Sequence, residues 1–122
     1  MAHSVAVLAE DHPVAAGLPL AFPLKDELYL YEVFDQSITP LLSSDYSFTN
    51  NHFYSAYHAV TGKMFCNDDW PHPAGSSLIG WTKTAGASRI CYLQPGDGPD
   101  TYASEHYRQL LENAIRWAAE KF

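Results

Sequence analysis

The strongest constraint on this chain is its closing stretch, from Ser104 onward. Apolar residues recur there at Tyr107, Leu110, Leu111, Ala114, Trp117 and Ala118, the spacing of a helix with one buried stripe. Arg108, Gln109, Glu112, Asn113, Arg116 and Glu120 fill the other face. Ser104 stands at the N-cap position, and Glu105 suits the positive end of the helix dipole. Directly before this helix come an apolar strand and a Gly/Pro turn containing Gly96-Asp97-Gly98.

The rest of the chain reads as strands and turns. Val5–Leu8 is a short apolar run compatible with a strand. His12-Pro13 and Gly17-Leu18-Pro19 are breaker signals, with a short helical turn between them over Val14–Gly17. Glu27–Phe34 is rich in β-formers and predicts a strand. Ile38–Ser44 predicts another, with Pro40 pointing to an edge or an irregular start. Ser77–Lys83 and Ser88–Gln94 predict a hairpin turning at Gly86. Ile90, Cys91, Tyr92 and Leu93 are apolar on both faces, as in a strand inside a sheet covered on two sides. Residues 45–76 mix polar and aromatic side chains and read as a long ordered loop, with a short helix within Phe53–Val60. No internal repeat, linker or low-complexity tract interrupts the chain.

Length and charge narrow the function classes. The 122 residues suit one domain, long enough for a core of its own. A hydrophobic content of 47% with 17% charged residues excludes a disordered chain. The net charge of −7, with scattered Lys and Arg, argues against a nucleic-acid partner. Cys66 and Cys91 make neither a disulfide framework nor a CxxC pair, so both are expected to be buried thiols in a reducing compartment. The first residues lack a basic n-region, and no stretch reaches transmembrane length. A cytoplasmic protein with no membrane partner is therefore expected.

The candidate sites follow from residue chemistry. The Gly96-Asp97-Gly98 turn fails the dinucleotide signature, because Thr101 stands where the third Gly should be. It fails the P-loop signature too, for no Lys-Ser/Thr pair follows. Asp97 would repel an anion and could instead orient a hydroxyl or a metal. No nucleotide cofactor is expected, and a divalent metal is the one cofactor left open. His12 is either a turn histidine or a site residue working with Asp26 and Glu27. Those two adjacent carboxylates cannot both face one way in a strand, so one points at a pocket and the other at solvent or a loop amide. His52, His58 and His72 share the long loop with Asp68 and Asp69, but their spacing matches no established metal pattern. A solvated polar loop fits better. Neither Cys91 nor Cys66 has the flanks of an activated nucleophile. The eight Tyr, six Phe and three Trp belong either to a Tyr-rich core and surface or to a pocket for a flat or sugar-like ligand.

Two stretches together resemble a known family. Asp11–Tyr29, DHPVAAGLPLAFPLKDELY, resembles the H-P-(I/V)-x-x-G-L-P…F…D-E-x-Y segment of the ThuA-like family, named for trehalose utilisation. Ser77–Ala119 resembles that family's closing segment: a strand ending in Trp, a turn, a strand ending L-G-H-D, and a helix ending L-L-x-N-A-I-R-W-A. The likeness spans nearly the whole chain and is weak across residues 45–76.

The resemblance implies an α/β fold: a partial flavodoxin- or glutamine amidotransferase-like sheet with a C-terminal amphipathic helix. It implies a single ThuA-like domain over residues 1–122, without the N-terminal βα units of the full family domain. The family's L-G-H-D reads Leu93-Gln94-Pro95-Gly96-Asp97 here, so its histidine is gone or moved while Asp97 keeps an acidic position. On this basis His12, Asp26, Glu27 and Asp97 are the expected catalytic residues, with Tyr29 and Trp81 packing a carbohydrate or related small metabolite. Open sheet edges in a half-domain predict a homodimer. The alternative is a non-catalytic binding or oligomerisation module reduced from such an enzyme.

Overall fold

The computed structural model describes residues 1–120. Five strands form one sheet: β1 (Ala2–Val7), β2 (Ala21–Lys25), β3 (Thr39–Ser44), β4 (Leu78–Ala85) and β5 (Ser88–Leu93). Their spatial order is β2-β1-β3-β4-β5, and every pairing is antiparallel. Three helices follow the chain: α1 (Ala56–Val60), α2 (Pro99–Ala103) and α3 (Glu105–Ala119). The α/β fold with a closing amphipathic helix is as expected.

Helix α3 keeps the expected register. The Ser104 hydroxyl accepts a hydrogen bond from the Tyr107 amide and caps it. Tyr107, Leu110 and Ala114 are buried, with Leu111 and Trp117 packed beside them. Ala118, expected on the same stripe, is exposed. The stripe meets Val5, Val14, Ile79 and Phe22 in one core. Burying a Leu or Phe side chain there contributes about 1.5–3 kcal/mol.

Asn113 on α3 adds a polar clamp. Its amide donates to the Val14 and Ala16 carbonyls at 3.0 and 2.8 Å. Those carbonyls belong to the 3-10 turn Pro13–Ala15 and its C-cap Ala16, overlapping the short helical turn predicted over Val14–Gly17. The closing helix thus holds the His12-Pro13 bend, and the two family-like segments of the sequence meet in space.

The hairpin forms as predicted. Ala85 pairs with Ser88 across Gly86-Ala87, and Gly86 has φ +59°, the glycine-first pattern of a type II′ turn. Strand β5 lies at the sheet edge, not inside it. It is nonetheless covered on both faces: Cys91 and Leu93 turn toward α3, while Tyr92 meets Trp81 and Tyr31 on the reverse. Strand β3 is interior, and Pro40 marks an irregular start: the register with β4 shifts between Pro40 and Leu42.

Glu27–Phe34 is not a strand. Leu28 is buried while Glu27 and Tyr29 are exposed, so the two-residue burial period is present without a ladder. The segment crosses the end of β5 instead. The Tyr29 amide donates to the Gln94 side-chain oxygen at 2.9 Å, and the Ser76 amide donates to the Tyr31 carbonyl at 3.2 Å. The β-strand lies just before it, at Ala21–Lys25, where Pro23 is tolerated because β2 is an edge. In the 45–76 excursion, Tyr46, Phe48 and Phe53 form a small aromatic cluster, and helix α1 falls within the predicted Phe53–Val60.

Candidate functional site

The Gly96-Asp97-Gly98 turn is an anion cradle, and the chain fills it itself. The Asp26 carboxylate, at the end of β2, receives the Gly96 amide at 2.6 Å, the Asp97 amide at 3.1 Å and the Gly98 amide at 3.1 Å. The Glu27 amide adds 2.7 Å and the Thr101 hydroxyl 2.5 Å. Backbone amides converging on a turn make a positive nest, which a carboxylate occupies as well as a phosphate would. Burial would raise the Asp26 pKa, but the Thr101 hydroxyl and the Gly96, Glu27 and Asp97 amides together hold it below the ordinary carboxylate value. Gly96 has φ +147°, and a Cβ there would meet the Tyr107 and Tyr102 hydroxyls at 3.1 and 3.2 Å. Those hydroxyls donate to the Pro95 and Gly96 carbonyls. The turn is locked from both sides, and Asp26 anchors it.

Glu27, Tyr29 and Asp97 gather at the same end of β5. The Tyr29 hydroxyl donates to a Glu27 carboxylate oxygen at 2.8 Å. That bond, then burial, then the Glu27, Asp97 and Asp26 charges, push the Tyr29 hydroxyl up to about 12. It stays a neutral donor at physiological pH. All three side chains are exposed. The adjacent carboxylates part as the strand rule predicts: Asp26 turns to loop amides and Glu27 to the open side.

His12 sits elsewhere. The Val14 amide donates to its Nδ1 at 3.1 Å, so Nδ1 is unprotonated and the ring proton is on Nε2, 3.4 Å from the Thr82 hydroxyl. Trp117 packs edge-on at 5.0 Å between ring centres. Burial, and then the Arg89 charge, lower the His12 pKa. Thr82 pairs with Cys91 in the sheet, whereas Tyr29 reaches Gln94, three residues farther along β5. That is about 10 Å at 3.3 Å per residue, beyond one bridging water. The expected set therefore divides: Asp26, Glu27, Tyr29 and Asp97 come together, and His12 does not join them. His12 instead borders an open groove of about 360 Å³ with Ser37, Thr82, Lys83 and Trp117.

Trp81 alternates with Thr82 and so faces away from His12. Its ring stacks on Tyr92 at 4.9 Å and 18°, and Tyr31 meets Tyr92 edge-on at 5.9 Å. On this face Trp81 Nε1, the Tyr31 hydroxyl and Gln94 Nε2 are buried without a hydrogen-bond partner. Sequence reasoning missed Tyr31, Tyr92 and Gln94. The signal for two of them was present: the hairpin register puts Tyr92 opposite Trp81, and Gln94 follows on the same face.

The loop histidines bond locally: His52 Nδ1 with the Thr49 hydroxyl, His58 Nε2 with the Asp68 carbonyl, and His72 Nδ1 with the Pro73 carbonyl. Among the described residues, no three His, Cys, Asp or Glu side chains are grouped to hold a metal ion. Cys91 is half-buried beside α3, and burial pushes its thiol up to about 11. No helix among the described residues is long and apolar enough to cross a membrane.

A closing helix clamped onto an antiparallel sheet, with an acidic and aromatic cluster at one strand end, defines an α/β fold. Residues 1–118 match the family model ThuA, trehalose utilisation, and the chain belongs to that family. No curated protein matches it. A crystal structure from Bacteroides uniformis, described as ThuA-like, superposes with a TM-score of 0.62 at 21% identity. The alignment covers 97% of this chain and 43% of that one, so this chain spans less than half of that protein's length. The likeness establishes the fold.

Proposed function

We propose that this ThuA-like chain binds or acts on a carbohydrate or a related small metabolite at the β5 end of the sheet. The observation that supports this reading is the exposed Tyr29–Glu27 hydrogen bond beside Asp97, on the segment whose Tyr31 meets the Trp81–Tyr92 stack. A carboxylate accepts hydroxyl hydrogens, a neutral phenol returns one, and an aromatic face packs the C–H side of a sugar ring. Glu27 is the group placed to exchange a proton with a bound hydroxyl or carbonyl. Asp26 serves by fixing the turn that carries Asp97. Thermal shift with a panel of disaccharides and their keto forms tests this. Stabilisation that Glu27→Ala abolishes supports it, and a panel without any shift removes it.

A second reading, a binding module that associates with another copy of itself, draws support from exposed apolar residues around the β5 edge. Strand β5 is an edge, and Ile90 on it and Ile115 on α3 are 38% and 62% exposed. Light scattering decides it: a species of 13.6 kDa at all concentrations sinks the reading.

A further inference from the structure

Buried polar atoms in folded proteins nearly always have partners, because an orphan gives up its hydrogen bonds to water and gains none in return. Three orphans side by side therefore call for an explanation. Trp81 Nε1, the Tyr31 hydroxyl and Gln94 Nε2 are such a group. They share one face of the β4–β5 hairpin, and Gln94 is only 8% exposed. Gln94 spends its oxygen on the Tyr29 amide, which leaves its NH2 aimed at the cluster. Tyr92, Gln94 and Trp81 all converge on the Tyr31 hydroxyl closely enough to act on its ionisation as hydrogen-bonding neighbours, yet none of these approaches closes into a hydrogen bond of good geometry.

The chemistry of the group is specific. Two N–H donors and one hydroxyl, which both donates and accepts, complement neutral oxygens. The three groups carry no charge, and the cavity beside them has one cation and one anion in its lining, Lys83 and Glu32, so neither sign of ligand charge is favoured. One face of Trp81 is taken by Tyr92, and the residue also lines a cavity of about 130 Å³ with Tyr31, Phe34 and Ile38. Its volume has room for several water molecules. Tyr31 lies on the segment without a ladder, so turning its side chain outward breaks no strand pairing.

We propose that Trp81, Tyr31 and Gln94 form the hydroxyl-binding subsite for an uncharged sugar, which enters from this cavity and displaces the Tyr31 ring. The subsite rests on the carbohydrate reading above and gives it a floor: donors beneath, the stacked aromatic pair as the wall, and the Tyr29–Glu27 pair at the rim.

The test is a titration of the intact chain with glucose, maltose and trehalose, following the indole N–H resonances of its three Trp residues by NMR. Trp81→Phe assigns its own signal. The expected result is a saturable shift of the Trp81 resonance. Tyr31→Phe is expected to weaken binding by about fivefold while the free protein melts at the same or a higher temperature, since an orphaned hydroxyl has been removed. Should Tyr31→Phe not fold, Trp81→Phe carries the same affinity measurement. A sugar that stabilises the protein but leaves the Trp81 resonance unmoved overturns the subsite and spares the carbohydrate reading. No response to any sugar overturns both. A Tyr31→Phe protein that melts lower and binds equally well overturns the subsite too, because the three groups then serve one another.

Discussion

Two polar groups lie within a few residues of each other at the end of β5, and they are opposites. The Asp26 carboxylate receives five donors, and its cradle is locked by two tyrosine hydroxyls. Around Gln94, three polar atoms are buried with none. The first group is complete without a ligand and explains itself as structure. The second leaves donors without well-formed partners, and the proposed subsite is built on that difference. A saturated network is a poor place to look for chemistry, even when it is built from the glycines and carboxylates that a sequence reader would choose.

The contrast can be broken most directly at Asp26. Asp26→Ala strands four amides and a hydroxyl, and is expected to cost about 3–5 kcal/mol in chemical denaturation. A loss under about 1 kcal/mol would show that water replaces the carboxylate freely and that the cradle is open to ligands. Gly96→Ala comes next, at about 2 kcal/mol, from the strained φ and the crowding of two tyrosine hydroxyls.

Acid should act in two stages. His3 and His12 have lowered folded pKa values, chiefly from burial, so the unfolded chain binds protons first as pH drops. Their stabilisation is whole above about pH 6.5 and declines below it. Asp26, also lowered in the fold, keeps its contribution above about pH 3.9 and loses it further down. Melting temperature against pH should show both steps, and Asp26→Asn should erase the lower one. At the smallest end, Glu27→Gln should move stability by less than about 0.5 kcal/mol, because the side chain is exposed, while weakening any response to sugar.

Much of the framework was legible. The α3 stripe, its Ser104 cap and the Gly86 hairpin are local patterns, and local patterns survive folding. The family-like segments were also readable, yet their meeting was not: Asn113 reads as a surface residue on its helix and turns out to hold the Pro13 turn. Glu27–Phe34 misled because a two-residue burial period needs only an extended chain lying on a surface. A ladder also needs a free neighbouring edge, and that is a property of the whole sheet. The site was half legible for a similar reason. Asp26, Glu27, Tyr29 and Asp97 share one strand end, but His12 is tied to Thr82 on the other face. The orphaned donors had no signature, since being unpartnered is a fact about surroundings.

The Asn113 clamp has a consequence for biosynthesis. It joins residues 99 positions apart, and the Asp26 cradle joins Asp26 to Gly96 and Thr101, 70 and 75 positions away. Contacts so distant along the chain slow folding, because the loop must be closed before they help. As the ribosome releases this protein, β1, β2 and β3 emerge while the helix that covers them is still untranslated. Their apolar face stays open until Tyr107, Leu110 and Ala114 arrive to join the same core.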